Sequence, residues 1–277
     1  MVLILVVMAL TIDPLGTFNA LMPKDRASMR VAQGVAFGDG PRLRLDLYAP
    51  RAASAAPRPV IVFLYGGSWN SGRRQGYAFA GRALAAQGFV VVVPDHRLVP
   101  EVRYPDFLRD CAAAVRWART GAARHGGDGT RIVLVGHSAG AYNAAMLALD
   151  PGLLGADRAA IRGFVGLAGP YDFLPLDDPA TVAAFGHWRP LAETQPIRHA
   201  AAGAPPTLLL HGTGDVRVMP RHSPALAARL EAAGAHVRMK LYPGVGHVEI
   251  LAAVAIPFRR RAPVLADVAD FAREVTR

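Results

Sequence analysis

Apolar positions in this chain fall into two alternating kinds of run. Short β-type stretches occupy residues 60–65, 89–94, 131–136, 163–168, 207–211 and 236–242, and Phe89-Val90-Val91-Val92-Val93 is the plainest continuous one. Runs without polar interruption suit strands buried on both faces of a parallel sheet. Between them lie longer segments with helical spacing, at 74–87, 107–123, 139–149, 224–233 and 263–275. Two further strands, 31–37 and 43–48, flank Gly38-Asp39-Gly40-Pro41, a turn signal that predicts an antiparallel opening pair. The pattern therefore predicts an α/β fold: a mostly parallel eight-stranded sheet with helices on both faces. Residues 170–206 break the alternation with seven prolines, and also hold Phe173, Phe185 and Trp188. A long irregular insertion of this kind is expected to form a small cap over a site.

The length of 277 residues suits one large domain, and an apolar content of 52% excludes wholesale disorder. The formal charge of +10 is carried almost wholly by arginine, since Lys24 and Lys240 are the only lysines. Apart from Arg259-Arg260-Arg261 these arginines are scattered, and no aromatic–basic repeat points to nucleic acid. Cys111 is alone, so no intrachain disulfide forms. Residues 1–11 are almost wholly apolar, but Asp13-Pro14 interrupts them well short of the ~20 residues of a spanning helix. Residues 1–30 are accordingly read as an arm or an anchor ahead of a domain at 31–277, with membrane association through residues 1–22 as one alternative. Cytoplasmic and membrane-associated locations both fit this segment, and oligomeric state has no signal.

Gly136-His137-Ser138-Ala139-Gly140 ends one apolar run and opens a helical one. That strand–turn–helix setting is what a nucleophile elbow needs, with Ser138 lifted to the carboxyl edge of the sheet. A serine hydroxyl needs a base, and the base needs a third group to orient it. Asp215 follows the 207–211 run on a glycine-rich loop, and His247 follows the 236–242 run on another. The order Ser, Asp, His and the loop settings agree with this fold class. Asp172 is a rival acid one strand earlier. Among the other histidines, His137 is expected to point structurally into the elbow and His211 to satisfy loop carbonyls. His125, His187, His199, His222 and His236 lie in helical, cap or strand-margin settings. Oxyanion donors are expected from the backbone of Ala139 and from the loop Gly66-Gly67-Ser68-Trp69, chiefly Gly67 and Ser68.

With Tyr65-Gly66-Gly67-Ser68-Trp69, Asp95-His96-Arg97-Leu98 and Gly136-His137-Ser138-Ala139-Gly140, followed by a late Asp and His, the chain resembles α/β-hydrolase-fold serine esterases and lipases. The branch is the one holding hormone-sensitive-lipase-like carboxylesterases, kynurenine formamidases and feruloyl or acetyl-xylan esterases. The resemblance runs from about residue 31 to 271. Tyr65 stands where the family has histidine and His96 where it has tyrosine, which alters what props the oxyanion loop. Asp95 and Arg97 are expected to pair and hold that loop. Trp69, Tyr142 and Trp188 are expected to line an acyl or alcohol pocket. The resemblance implies hydrolysis of small-molecule, short-acyl carboxylic esters through an acyl-enzyme, with no cofactor or metal. Amide or arylformamide hydrolysis by the same triad, and a non-catalytic binding role, are the alternatives. Gly126-Gly127-Asp128-Gly129 is read as a turn, and no Walker loop or zinc pattern occurs.

Overall fold

A computed structural model describes residues 14–277. Helix α1 (Pro14–Leu21) leads into strands β1 (Ser28–Ala36), β2 (Arg44–Pro50) and β3 (Arg58–Leu64). Helix α2 (Ala78–Ala86), β4 (Val90–Pro94), α3 (Asp106–Gly121), β5 (Gly127–His137) and α4 (Ala139–Leu149) follow. After the short α5 (Pro151–Leu154) come β6 (Ile161–Leu167), α6 (Pro179–Phe185), β7 (Thr207–Gly212) and α7 (His222–Ala232). The chain closes with β8 (Val237–Tyr242), α8 (His247–Ala252) and α9 (Val264–Val275). The strands form one sheet in the order β1-β2-β4-β3-β5-β6-β7-β8. Pairing is antiparallel where β2 meets β1 and β4, and parallel from β4 through β8. This is the mostly parallel eight-stranded sheet that the hydrophobic pattern predicts, in the α/β-hydrolase fold that the resemblance implies.

Side-chain alternation divides each apolar run between two cores. Ile61, Phe63, Val91, Val93, Val133 and Val135 face α2, α8 and α9. Their neighbours Val60, Val62, Val90, Val92, Ile132 and Leu134 face α3, α4 and α7. Because β3 is followed by a step to β4 on one side and is flanked by β5 on the other, the strand order reverses there. Ligands of open α/β sheets collect outside the carboxyl ends of strands at such a switch point.

The glycine-rich stretch at 126–129 corrects the expectation of a turn. Only Gly126 turns, at φ 78°. Gly127 and Asp128 already belong to β5, paired with Arg58 and Pro59, so the strand extends beyond its apolar core. Residues 1–13 of the apolar arm lie outside the described residues. In the described part, α1 docks Leu15 and Phe18 on the first core, and Met22 just after the helix joins them. Phe18 meets the edge of Phe79 at 5.1 Å and stacks on Phe258 at 5.9 Å. Residues 170–206 fold as α6 and two 3-10 turns over a third, aromatic cluster.

Candidate active site

Ser138 occupies the turn between β5 and α4 at φ 56° and ψ −126°, a conformation that L-residues rarely adopt. Its N–H donates to the Leu167 carbonyl on β6 at 2.9 Å, which fixes the turn to the sheet. Close approach of strand and helix needs glycine on either side. A Cβ on Gly136 would lie 2.2 Å from the Gly140 carbonyl, and one on Gly140 would lie 2.1 Å from that of Leu64. The strain therefore persists because the surrounding backbone leaves no other path.

Three side chains from three loops meet at this edge. The Ser138 hydroxyl donates to His247 Nε2 at 2.8 Å, and His247 Nδ1 donates to Asp215 Oδ2 at 2.7 Å. Asp215 Oδ1 accepts from the N–H groups of Arg217 and Val218, both at 2.9 Å, so the loop wraps its own carboxylate. Burial pushes the Asp215 carboxyl up, but hydrogen bonds from His211, His247 and Val218 outweigh it and hold it well below the usual carboxylate range. An ionised Asp215 fixes the His247 tautomer with Nε2 free to accept. Asp172 does not join this line; its backbone N–H bonds His222 Nδ1 at 3.3 Å.

The loop after β3 faces the same point. Gly67, Ser68 and Trp69 all take positive φ, at 139°, 50° and 59°. The Gly67 carbonyl accepts from Asn70, Ser71 N–H and the Ser71 hydroxyl. No acceptor among the described residues takes the N–H of Gly67 or Ser68. Ala139 sits at the first position of α4, where a backbone N–H has no intrahelical partner. This loop reaches the elbow, since a Cβ on Gly66 would lie 2.9 Å from Ser138 Cβ, and amides without a protein acceptor there suit a developing oxyanion.

The BD-FAE family model matches residues 45–230, a span holding the β3 loop, Ser138 and Asp215. The chain belongs to the BD-FAE family. Among curated relatives, it is similar to the esterase LipC of Mycobacterium tuberculosis, 31% identical over 236 residues covering 77% of this chain and 58% of that protein. It is also 29% identical to a probable isoprenylcysteine alpha-carbonyl methylesterase of Arabidopsis thaliana, over 79% of this chain and 51% of the relative. The chain thus spans about half to three-fifths of these relatives' length. Esterase B of Lactobacillus rhamnosis, solved with a tributyrin phosphonate, shares the fold at TM-score 0.82 and 20% identity, over 95% of this chain and 91% of that one.

Within this BD-FAE site, partners that the sequence pattern did not name hold the groups in place. His211 Nε2 lies 3.2 Å from Asp215 Oδ2 and 2.9 Å from the Val218 carbonyl, so it carries a proton and donates. His211 Nδ1 then accepts from Ser223 Oγ at 2.8 Å. The result is a buried chain, Ser223–His211–Asp215–His247–Ser138, in which one carboxylate oxygen receives two imidazoles. His137 Nε2 donates to the His247 carbonyl at 3.0 Å, tying the histidine loop to the elbow. Burial, with the neighbouring His247, pushes His137 down to about 3, so it stays neutral.

The departures from the family motif form a second network. Tyr65 donates to Asp95 Oδ1 at 2.7 Å and stacks on Tyr77 and His96. Tyr77 in turn donates to the Gly66 carbonyl at 3.0 Å. The expected pairing of Asp95 with Arg97 is corrected here. Asp95 pairs with Arg74, which also reaches Asp46, whereas Arg97 makes a forked pair with Asp110 at the start of α3. Two arginines lie within reach of acids in this region, and the loop path carries Arg97 toward α3.

Trp69 and Tyr142 are buried side by side, 5.2 Å apart edge to face, with Phe185 at 4.8 and 5.2 Å from them. Trp69 Nε1 donates to Asn143 at 3.1 Å and Tyr142 to the Thr194 carbonyl at 2.8 Å. Trp188 is not brought to Ser138. It meets the edge of Tyr104 and lines a surface cavity of ≈ 580 Å³ with Asp150 and Leu153, at the opposite end of α4.

Proposed function

We propose that the chain hydrolyses carboxylic esters through an acyl-enzyme on Ser138. His247 takes the Ser138 proton as Oγ attacks the ester carbon, and Asp215 holds and stabilises the imidazolium. The amides of Gly67, Ser68 and Ala139 receive the oxyanion. Collapse breaks the carbon–oxygen bond to the alcohol, whose oxygen takes the proton from His247. Water then repeats the sequence and frees the acid. The observation that carries this reading is the unbroken hydrogen-bonded line Ser138–His247–Asp215 beside three free amides. Named esterases among the relatives support it.

Turnover of p-nitrophenyl acetate or butyrate before and after Ser138→Ala tests it. The variant is expected to lose about 10⁴-fold or more in kcat; activity near that of the parent chain would remove Ser138 from the mechanism. The apolar residues 1–22 are proposed to meet a membrane surface. Support comes from the exposed Leu21, Ile256 and Phe258 around α1 and the basic run Arg259-Arg260-Arg261 beside them. Among the described residues no helix is long and apolar enough to cross a membrane.

A further inference from the structure

The three amides offered to the oxyanion come from two separate pieces of backbone. Gly67 and Ser68 lie on the loop after β3, whereas Ala139 opens α4. Their relative placement matters because all must point at one oxygen, and a shift of about 1 Å can cost ~100-fold in rate. The loop does not hold its own shape. Gly67, Ser68 and Trp69 stand in succession at positive φ, and for serine and tryptophan that conformation persists only where neighbours enforce it.

Two buried side chains grip the loop, one at each end. Tyr77 donates its hydroxyl to the Gly66 carbonyl at 3.0 Å. Its ring is stacked on Tyr65 at 4.9 Å and tilted against Phe63 at 5.9 Å, which fixes where that hydroxyl sits. At the other end, Trp69 Nε1 donates to Asn143 Oδ1 at 3.1 Å. Asn143 Nδ2 donates to Cys111 Sγ on α3 at 3.7 Å, which leaves Oδ1 turned to the indole.

Asn143 lies four residues after Ala139, one turn along the same face of α4. The Trp69–Asn143 bond therefore ties the loop that carries two donors to the helix that carries the third. Packing alone would not choose asparagine here. The residue is wholly buried in a helix otherwise built of alanine, glycine, leucine, methionine and one tyrosine. Asparagine is a poor helix former and costs free energy to bury, so an aliphatic side chain would suit the core better.

We propose that Asn143 and Tyr77 are positioning residues for hydrolysis at Ser138. Asn143 sets the placement of the Gly67 and Ser68 amides relative to that of Ala139, and Tyr77 anchors the start of the loop through Gly66. Both act through the loop rather than on the reacting atoms. This inference rests on the esterase reading.

Steady-state kinetics on p-nitrophenyl acetate test it in Asn143→Leu, Trp69→Phe, the two combined, and Tyr77→Phe. Asn143→Leu is expected to lower kcat about 30-fold with KM within about twofold, because the amides serve the transition state more than the bound ester. Tyr77→Phe removes one oxygen and keeps the stacked ring; a fall in kcat of about tenfold is expected. The inhibition constant of a trifluoromethyl ketone, which forms a tetrahedral oxyanion on serine, is expected to rise by the factor that kcat falls. A role in packing alone would lower the melting temperature and leave kcat and that constant unmoved below the melt. The combined variant is expected to lose no more than the larger single loss, since both changes break one bond. Losses that multiply, or a raised KM at unchanged kcat, overturn the role of Asn143; parent kcat in Tyr77→Phe overturns that of Tyr77. Should Asn143→Leu not fold, Trp69→Phe breaks the same bond from the other side, and parent kcat there is equally decisive against it. A parent chain that turns over no ester and takes no phosphonate on Ser138 fails at the esterase reading itself, a result distinct from all of these.

Discussion

At the scale of single residues, Asp215 Oδ2 is the atom on which most converges. It accepts from His247 at 2.7 Å and from His211 at 3.2 Å, and the second imidazole draws off charge that would otherwise face the first. Replacing His211 by leucine removes one of the bonds that hold Asp215 Oδ2 against His247. The rate at its optimum is expected to fall about tenfold as Asp215 loses a positioning bond. His211→Gln, which keeps a donor near the same place, is expected to recover much of the loss; equal losses in His211→Gln and His211→Leu would reduce His211 to packing. Ser138, Asp215 and His247 are legible from the sequence because each sits on a glycine-marked loop after an apolar run. His211 is only half legible. Its partner Val218 is the kind of loop carbonyl expected for it, but the bond to Asp215 arises because the loop folds back over the end of β7. No local pattern carries that path.

At the scale of elements, the loop after β3 is the part least tolerant of change. Gly67 has φ 139°, and a Cβ there would lie 2.2 Å from the Ser71 carbonyl, so backbone rather than a side chain would have to move. Gly67→Ala is expected to cut kcat about 100-fold or more by misaiming an oxyanion amide. Steady-state kinetics with a circular dichroism check of the fold measure this; a variant at half the parent rate would show that the loop donors are not needed. The central strands β3 to β7 were legible because residues buried on both faces leave continuous apolar runs, whereas the edge strands β1 and β8 are mostly exposed and read only from their turns and order. The small helices were not. Helix α6 carries its own signal, Asp178 accepting from the N–H groups of Ala180 and Thr181 ahead of Pro179 at the first turn. That signal is hidden among seven prolines that read as an irregular segment. Helix α8 begins at His247 itself, with Glu249 accepting from the Gly246 N–H, and its six residues are too few to show a period.

For the whole molecule, two cores share one sheet, and buried neutral histidines link its stability to pH. Burial is the leading cause that pushes His96 and His222 down to about 4 and His137 to about 3, against an ordinary value of 6.5. The unfolded chain binds protons on these residues first. Stability is therefore full above about pH 6.5 and declines toward about pH 4 at ~1.4 kcal/mol per residue for each pH unit. Thermal melts across that window are expected to show a steady fall in midpoint, and a flat profile would contradict the neutral burial. Co-sedimentation with vesicles containing anionic phospholipid, against neutral vesicles, tests the surface around α1. Retention on the anionic set that is lost in high salt is expected; no binding to either would remove the membrane role. The central claim has a more direct test, intact-mass analysis of the full chain after exposure to a p-nitrophenyl phosphonate. The account predicts one covalent adduct per chain, mapped by peptide digestion to Ser138 and absent from Ser138→Ala. An adduct on another residue, or an unmodified chain that still turns over esters, would contradict it.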